Sequence, residues 1–177
     1  MTMEYMGEGA ALKFGDDIST DLIAPGKYFH LRPNLPELAK HVLEDAKLLH
    51  TEEKFIDVME KGDFVVGGRN FGLGSSREHA PTIIKLSGIK AVLAKSFARI
   101  FFRNSINVGL PAITCDTDQI DSLDVISVDL KQGVVLNKTK NLRIPFYPLP
   151  NIMIKILGSG GLVNYVKENQ GLILPVA

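Results

Sequence analysis

The sequence contains very little cysteine, with a single residue, Cys115, in a chain of 177. One thiol cannot form an internal disulfide framework, and it cannot supply the several thiolates that hold an iron–sulfur cluster. We therefore interpret Cys115 as a small core residue. Histidines are also few and widely separated: His30, His41, His50 and His79. Their spacing does not match that of metal ligands, so we expect this chain alone to bind no metal.

The chain has no excess of charge of either sign, because 20 basic residues balance 20 acidic ones. It has no polybasic run of the kind that holds a nucleic-acid backbone or a membrane surface. It also has no apolar run long enough to cross a bilayer, and residues 1–14 do not resemble a secretory leader. We expect a cytoplasmic protein with small anions or other proteins as partners, and with neither nucleic acid nor membrane among them.

The chain is 45% hydrophobic and can bury one substantial core, which predicts a single domain over residues 1–177. From residue 63 onward, the order of strand, glycine loop, helix, strand, helix and strand is typical of a βαβαβ unit with parallel strands. Residues 16–25 are polar and predict a loop, and a mobile tail after Gln170 is consistent with the sequence. The pattern predicts an α/β protein in β/β/α layers, with additional short strands: strands at 11–14, 63–66, 91–95, 110–114, 125–130, 134–136 and 142–145, and helices at 36–43, 51–61, 81–86, 97–107, 151–157 and 162–168.

Residues 67–81, GGRNFGLGSSREHAP, combine a glycine-rich loop with two serines and an arginine just before a predicted helix. The glycines lack a Cβ, so the backbone can adopt positive φ angles and turn several N–H groups toward one anion. The positive end of the helix and the planar fork of Arg77 add donors that suit a carboxylate. The loop has neither the lysine of a P-loop nor the spacing of a dinucleotide site. It predicts a carboxylate site, although many such loops only connect a strand to a helix.

Three blocks of sequence resemble the swivelling domain of the aconitase superfamily. They are FGDDISTDLIAP at 14–25, GRNFGLGSSREHAP at 68–81 and IKAVLAKSFARIFFRNSINVGLPAI at 89–113. The resemblance extends over residues 14–167 and is closest to the free-standing form of this domain, the small subunit of 3-isopropylmalate dehydratase and of homoaconitase. It implies a layered swivelling-domain fold and a hydro-lyase subunit of branched-chain (leucine) biosynthesis.

The resemblance also implies a partner and a cofactor. Enzymes of this superfamily use a [4Fe-4S] cluster held by three cysteines, which a chain with only Cys115 cannot build. The cluster is therefore expected on an iron–sulfur large subunit, with the active site between the two chains and a hydroxy-di- or tricarboxylate as substrate.

Two functions of another class stay open. A non-catalytic anion-binding module would bind a metabolite alone, whereas a scaffolding subunit would use the loop to pack against a partner.

Within the loop, the resemblance assigns roles to the Ser-Ser-Arg run. The family's first serine removes a proton next to a carboxylate, which implies that Ser75 is the catalytic base. Arg77 would hold a substrate carboxylate, with Ser76 and Gly74 as further substrate contacts. A serine hydroxyl is a very poor base at neutral pH, so this role requires N–H groups and positive charge that stabilise its alkoxide.

A second contribution comes from the Thr-Asp pair in the segment 14–25. The resemblance implies that Asp21 lies in the active site and helps to position catalytic groups, with Thr20 beside it at the substrate. From the residues alone, a turn or a helix cap is the simpler interpretation of the pair. We interpret Glu78 and His79 as structural residues that cap the turn or orient Arg77.

The segment 27–32 matches the family loop that contacts the variable part of the substrate. This specificity segment consists of Lys27, Tyr28, Phe29, His30, Leu31 and Arg32. Either His30 or Arg32 can bind a distal carboxylate, which favours a tricarboxylate. The aromatic and aliphatic side chains can instead line an apolar pocket for an isopropyl group. Isopropylmalate is the favoured substrate, with homoaconitate and a dimethylmalate-type acid as alternatives.

Overall fold

Seven strands form one mixed sheet in the computed structural model, which describes residues 5–171 of the chain. The strands are β1 (Tyr5–Lys13), β2 (Phe64–Val66), β3 (Ala91–Ala94), β4 (Ala112–Thr114), β5 (Val125–Asp129), β6 (Val134–Asn137) and β7 (Leu142–Pro145). The helices are α1 (Thr20–Ile23), α2 (Leu35–Leu38), α3 (Phe55–Val58), α4 (His79–Leu86), α5 (Arg99–Val108), α6 (Asn151–Gly158) and α7 (Leu162–Glu168), with 3₁₀ helices at Gly26–Leu31, Ala39–His41 and Thr117–Gln119. The strand order is β4-β3-β2-β1-β5-β6-β7. The predicted mobile tail lies outside the described residues from residue 172 onward.

One half of the sheet is parallel. Strand β1 pairs with β2, β2 with β3 and β3 with β4, all in the parallel sense, and α4 and α5 connect the last three strands. The predicted βαβαβ unit is therefore confirmed. Strands β2 and β3 are buried along their whole lengths. Alternate residues of β2 belong to different apolar clusters: Val65 lies on one face of the sheet, and Phe64 and Val66 lie on the other. Because both faces of the parallel strands are buried, these strands are apolar throughout.

The other half of the sheet is antiparallel. Strand β5 pairs with β1, β6 with β5 and β7 with β6. These are the short strands that the alternating pattern after residue 124 predicts, so the α/β class with additional strands is confirmed. Strand β1 connects the two halves of the sheet, because it pairs with β2 along one edge and with β5 along the other.

The sequence prediction was least accurate before residue 62. Strand β1 begins at Tyr5 rather than at residue 11, because its first residues pair with β5 although they are only partly apolar. The helix predicted at 36–43 is only α2 followed by a 3₁₀ turn. The helix predicted at 51–61 is only α3, because the chain folds back on itself before it. There the N–H of Phe55 donates to the carbonyl of Ala46, which holds the preceding residues in a turn.

Two differences affect the future site. Helix α4 begins at His79, not at Pro81, and Pro81 lies in its first turn, where its missing N–H breaks no intrahelical bond. The segment predicted as a polar loop contains α1, whose N-terminus is capped by Ser19, since the Ser19 Oγ accepts a hydrogen bond from the N–H of Leu22 at 3.1 Å. The chain therefore presents two helix starts close to the Ser-Ser-Arg run.

An aromatic cluster lies beneath the glycine loop. The rings of Phe71 and Phe101 are edge-on, with centroids 5.3 Å apart, and Phe97 stacks on Phe101 at 6.2 Å. Phe71 is fully buried, and removing such a ring costs about 3–5 kcal/mol in a typical core. The cluster fixes the loop against α5.

Among the helices of residues 5–171, none is long and apolar enough to span a bilayer.

Candidate active site

Residues from three separate segments of the sequence meet beside the first turn of α4. They form a shallow cavity lined by Thr20, Asp21, Ala24, Arg32, Ser75, Arg77, His79 and Ala80. The fold thus brings together the Thr-Asp pair, the last residue of the specificity segment, and the first serine and the arginine of the Ser-Ser-Arg run. Gly74, Ser76 and residues 27–31 are not part of this lining.

Hydrogen bonds connect α1 to the glycine loop. The N–H of Thr20 donates to the carbonyl of Leu73 at 2.8 Å, and the N–H of Ser75 donates to Thr20 Oγ1 at 2.9 Å. Gly74 has a φ of 113°, and a Cβ at that position would lie 2.9 Å from Thr20 Oγ1. Thr20 is 5% exposed. Thr20 and Gly74 therefore determine where Ser75 lies relative to Asp21.

The backbone of residues 67–72 binds the protein itself rather than an outside anion. Its N–H groups donate as follows: Gly67 to Leu93 O, Gly68 to Gly15 O, Arg69 to Asp16 Oδ1, Asn70 to Ser96 Oγ, Phe71 to Ser96 O and Gly72 to Ile18 O. The predicted anion nest is therefore wrong for these residues. Gly67 and Gly68 serve close packing, because a Cβ would overlap the Phe71 ring at Gly67 and the Asp16 carboxylate at Gly68. The donors that remain at this site are its side chains and the amides beyond residue 72.

The two serines of the run have different surroundings. Ser75 is partly buried and its Oγ accepts a hydrogen bond from the N–H of Arg77 at 3.3 Å. Ser76 is exposed, and its carbonyl accepts a hydrogen bond from Asn104 Nδ2 at 2.9 Å. Asn104, from the third block of the resemblance, therefore holds the run against α5. The sequence interpretation did not assign it this role.

Two guanidinium groups converge on one ring at the cavity. The Cζ of Arg32 lies 3.3 Å from the centroid of Phe29, and that of Arg77 lies 5.7 Å from the same centroid. Neither arginine forms an ion pair with a carboxylate among the described residues. Burial and the positive charge of Arg77 lower the pKa of Arg32, while Asp21 opposes the shift. The cavity therefore has two arginines and one carboxylate, that of Asp21, which forms no ion pair with either arginine.

His79 also faces this cationic region. Its Nδ1 is buried and has no hydrogen-bond partner within residues 5–171. Burial, followed by the positive charges of Arg32 and Arg77, lowers the pKa of the imidazole. A ring with a lowered pKa is neutral at pH 7. The sequence interpretation treated His79 as structural, and only the tertiary structure reveals it on the cavity wall.

The specificity segment has two faces. Arg32 lines the cavity, and Phe29, which is 57% exposed, lies under both arginines. His30 is exposed and is not among the lining residues, so of the two cationic candidates the fold selects Arg32. Lys27 and Tyr28 point the other way and contact Glu44. Leu31 packs against the main apolar cluster.

The cavity is open and small. Its volume is about 20 Å³, enough for about one water molecule and far too small for an organic acid. It is one wall of a binding site rather than an enclosed pocket. A second cavity of about 580 Å³ lies between α5 and α6, but none of the predicted site residues lines it.

The described residues do not fit a metal cofactor. Within residues 5–171, no group of three or more His, Cys, Asp or Glu side chains is arranged to hold an ion. The Cys115 thiol is buried, and burial raises its pKa to about 12. It therefore stays protonated, which makes it a poor ligand for a cluster.

Comparison with known proteins identifies the family. The profile of the aconitase C-terminal domain matches residues 37–118. A 3-isopropylmalate dehydratase small subunit of Archaeoglobus fulgidus is 59% identical over 91% of this chain and 94% of its own length. The chain belongs to the family of 3-isopropylmalate dehydratase small subunits. Another member, from Thermotoga maritima, is 54% identical over 93% of this chain and 96% of its own.

The structure agrees with that of a dehydratase relative. The crystal structure of a 3-isopropylmalate dehydratase from Methanocaldococcus jannaschii superposes with a TM-score of 0.85 at 44% identity, covering 94% of this chain and 95% of that one. The resemblance and the fold class derived from the sequence are thereby confirmed. The small-subunit relatives are named for isopropylmalate, a dicarboxylate, and two unpaired guanidinium groups suit such an anion.

Proposed function

We propose that this chain is the small subunit of a 3-isopropylmalate dehydratase, which interconverts 2-isopropylmalate and 3-isopropylmalate in leucine biosynthesis. The observation that carries the proposal is the convergence of Arg32 and Arg77 beside Ser75, with no carboxylate of the described chain paired to either arginine. Two like charges held close together repel each other, and a bound anion relieves that repulsion. A dicarboxylate supplies two such anions.

The two arginines would orient the substrate. A guanidinium presents parallel N–H donors that match a carboxylate, so Arg77 and Arg32 can hold one carboxylate each. Their shared contact with Phe29 limits how far each can move. The substrate carbons would then lie between the arginines and Ser75, which is the arrangement that proton removal next to a carboxylate requires.

Ser75 would move the proton. In dehydration, its Oγ, as the alkoxide, would take a proton from the carbon beside one carboxylate. The carbon–oxygen bond at the neighbouring carbon would break, its hydroxyl would leave as water with a proton taken from solvent, and a carbon–carbon double bond would form. Rehydration returns the proton and the hydroxyl to the opposite carbons. The N–H of Arg77 donates to Ser75 Oγ at 3.3 Å, and the nearby guanidinium groups favour a negative oxygen. Asp21, which acts electrostatically on Arg32, would help to position that side chain.

A second chain would complete the site. The cavity of about 20 Å³ is too shallow to enclose a substrate, so an iron–sulfur large subunit would cover it. A [4Fe-4S] cluster on that subunit would supply the metal chemistry, because the described residues here do not fit a cluster. The chain alone is then expected to be folded but inactive.

Homoaconitate is the second candidate substrate. With this substrate, Arg32 on the cavity wall would hold the distal carboxylate, and Arg77 would hold the carboxylate next to the transferred proton. The exposed ring of Phe29 beside the same cavity favours an isopropyl group instead. Relatives at 59% and 54% identity that are named for 3-isopropylmalate add weight to isopropylmalate.

An anaerobic assay tests the proposal. The chain is measured alone and mixed with the large subunit of the same organism, on isopropylmalate, homoaconitate and a dimethylmalate in parallel. Activity on isopropylmalate in the mixture only is the expected result. No activity in any mixture, together with tight binding of a metabolite by the chain alone, would replace the proposal with an anion-binding module.

A further inference from the structure

The carboxylate of Glu44 collects side chains from two segments outside the cavity. Its Oε1 accepts hydrogen bonds from Lys27 Nζ at 3.1 Å and from the Tyr28 hydroxyl at 2.9 Å. Its Oε2 lies 2.5 Å from His41 Nδ1. The Tyr28 and His41 rings are stacked, with centroids 3.7 Å apart. No sequence motif indicates a role for Glu44, because its contacts are made with residues up to 17 positions earlier in the chain.

The specificity segment has few other polar contacts. Lys27 also pairs with Asp45 at 2.9 Å, and Tyr28 and Leu31 pack against the main apolar cluster. It forms the 3₁₀ helix Gly26–Leu31, in which no residue is buried and which is broken by non-helical angles at Tyr28. A few local hydrogen bonds support it, among them Tyr28 N–H to Pro25 O and Arg32 N–H to Phe29 O. Short 3₁₀ helices have poor hydrogen-bond geometry, so their position depends on side-chain contacts.

The two faces of the segment are linked through its backbone. Tyr28 faces Glu44, and the next residue, Phe29, supports the guanidinium groups of Arg32 and Arg77. A shift of Tyr28 would move the Phe29 ring and with it the Arg32 side chain. A displacement of about 1 Å in a binding group is enough to weaken recognition severely.

We propose that Glu44 is a positioning residue that anchors the specificity segment and thereby sets where Phe29 and Arg32 meet the substrate. This role rests on the proposed function, since it concerns substrate recognition at the same site. Glu44 touches no cavity residue itself and acts only through Lys27, Tyr28 and His41.

The anchor depends on a carboxylate. Hydrogen bonds from His41, Lys27 and Tyr28 lower the pKa of Glu44 to about 2, so the group stays ionised at working pH. Both carboxylate oxygens are occupied as acceptors. A glutamine of the same shape has one acceptor oxygen and places an N–H₂ group against a donor, which leaves the set unsatisfied.

Kinetics of the reconstituted complex test the proposal with Glu44→Gln. We expect the KM for isopropylmalate to rise by roughly tenfold while kcat stays within about twofold, because ground-state and transition-state recognition are lost together. The matched control is Glu52→Gln, which removes the exposed ion pair with Lys47 in another turn and should change neither constant. Tyr28→Phe keeps the stacking on His41, loses one hydrogen bond and should give a smaller rise in KM.

Hydrogen exchange of the full-length chain supplies a readout that does not depend on activity. Amides 26–32 should exchange faster in Glu44→Gln than in the wild type, with no change in Glu52→Gln. An unchanged exchange rate, or an unchanged KM, would overturn the anchoring role. If the wild-type complex is inactive on every substrate, the proposed function fails, while the exchange result still decides whether Glu44 holds the segment.

Discussion

At the scale of single residues, the site is a serine surrounded by positive charge. Ser75, Arg77 and Arg32 reach one cavity wall, and a neutral His79 completes it. The amides of residues 67–72 are engaged internally and cannot serve an anion. The side chains of the wall can each be tested by one substitution.

Ser75→Ala in the complex should reduce kcat by roughly 10²- to 10⁴-fold, the usual effect of losing a general base. The KM should change little, because the arginines hold the substrate. Steady-state kinetics provide the measurement. Ser122→Ala is the matched control, since the Ser122 hydroxyl donates to the carbonyl of Leu49 and lies outside the cavity lining. Near-normal turnover in Ser75→Ala would remove Ser75 from the role of base.

Arg77→Lys should raise the KM by about tenfold or more, because lysine keeps the charge but loses the fork that matches a carboxylate. Substrate titrations of the complex measure this effect. Arg143→Lys changes an exposed arginine of β7, far from the site in the sheet order, and should leave the KM unchanged. Equal KM values in both variants would contradict carboxylate binding by Arg77.

His79 should make stability depend on pH in a predictable direction. Burial and the two arginines lower its pKa in the folded chain, so the unfolded chain binds more protons once the pH falls below about 6.5. The folded chain therefore keeps its full stability above about pH 6.5. It loses stability as the pH falls from there toward the lowered pKa of folded His79. Urea unfolding from pH 7.5 to 5 should therefore show a weaker pH dependence in His79→Gln than in the wild type. The exposed His30→Gln serves as control, and identical slopes for the wild type and His79→Gln would contradict the prediction.

At the scale of elements, the position of Ser75, the proposed base, depends on how α1 meets the glycine loop. The contact needs a backbone with positive φ at Gly74 and a buried hydroxyl at Thr20. The sequence interpretation assigned the glycines of the loop to anion binding, whereas the amides of Gly67, Gly68 and Gly72 already have acceptors within the chain. The start of α4 was misplaced by two residues for a similar reason: Pro81 is acceptable anywhere in the first turn.

Gly74→Ala should destabilise the chain by about 1–3 kcal/mol, the range for a non-glycine residue in a strained backbone conformation. The new methyl group also approaches Thr20 Oγ1, so kcat of the complex should fall with stability. Urea unfolding measures the first effect. Gly7→Ala is the control, because a Cβ there meets no atom within 4 Å, and a comparable loss in that variant would contradict the explanation.

At the scale of the whole molecule, β1 joins a parallel and an antiparallel half-sheet. Residues of both halves, including Phe64 of β2 and Val135 of β6, share one apolar cluster. A common core and a common central strand make partial unfolding unfavourable.

We therefore expect the two half-sheets to unfold in one transition. Native-state hydrogen exchange in increasing urea should give the same opening free energy for the slowest amides of β3 and of β6. Two separate free energies, one for each half, would show that β1 does not couple them.

The sequence by itself determined the family and the βαβαβ unit, and it pointed to the proposed site residues, because these features are local: a glycine loop, a Ser-Ser-Arg run and buried apolar strands lie in contiguous segments. It could not determine which neighbours those residues meet. The choice of Arg32 over His30, the presence of His79 on the wall and the anchoring contacts of Glu44 arise between segments far apart in the chain. Only the tertiary structure decided them, because they depend on how hydrogen bonds and packing bring distant segments together.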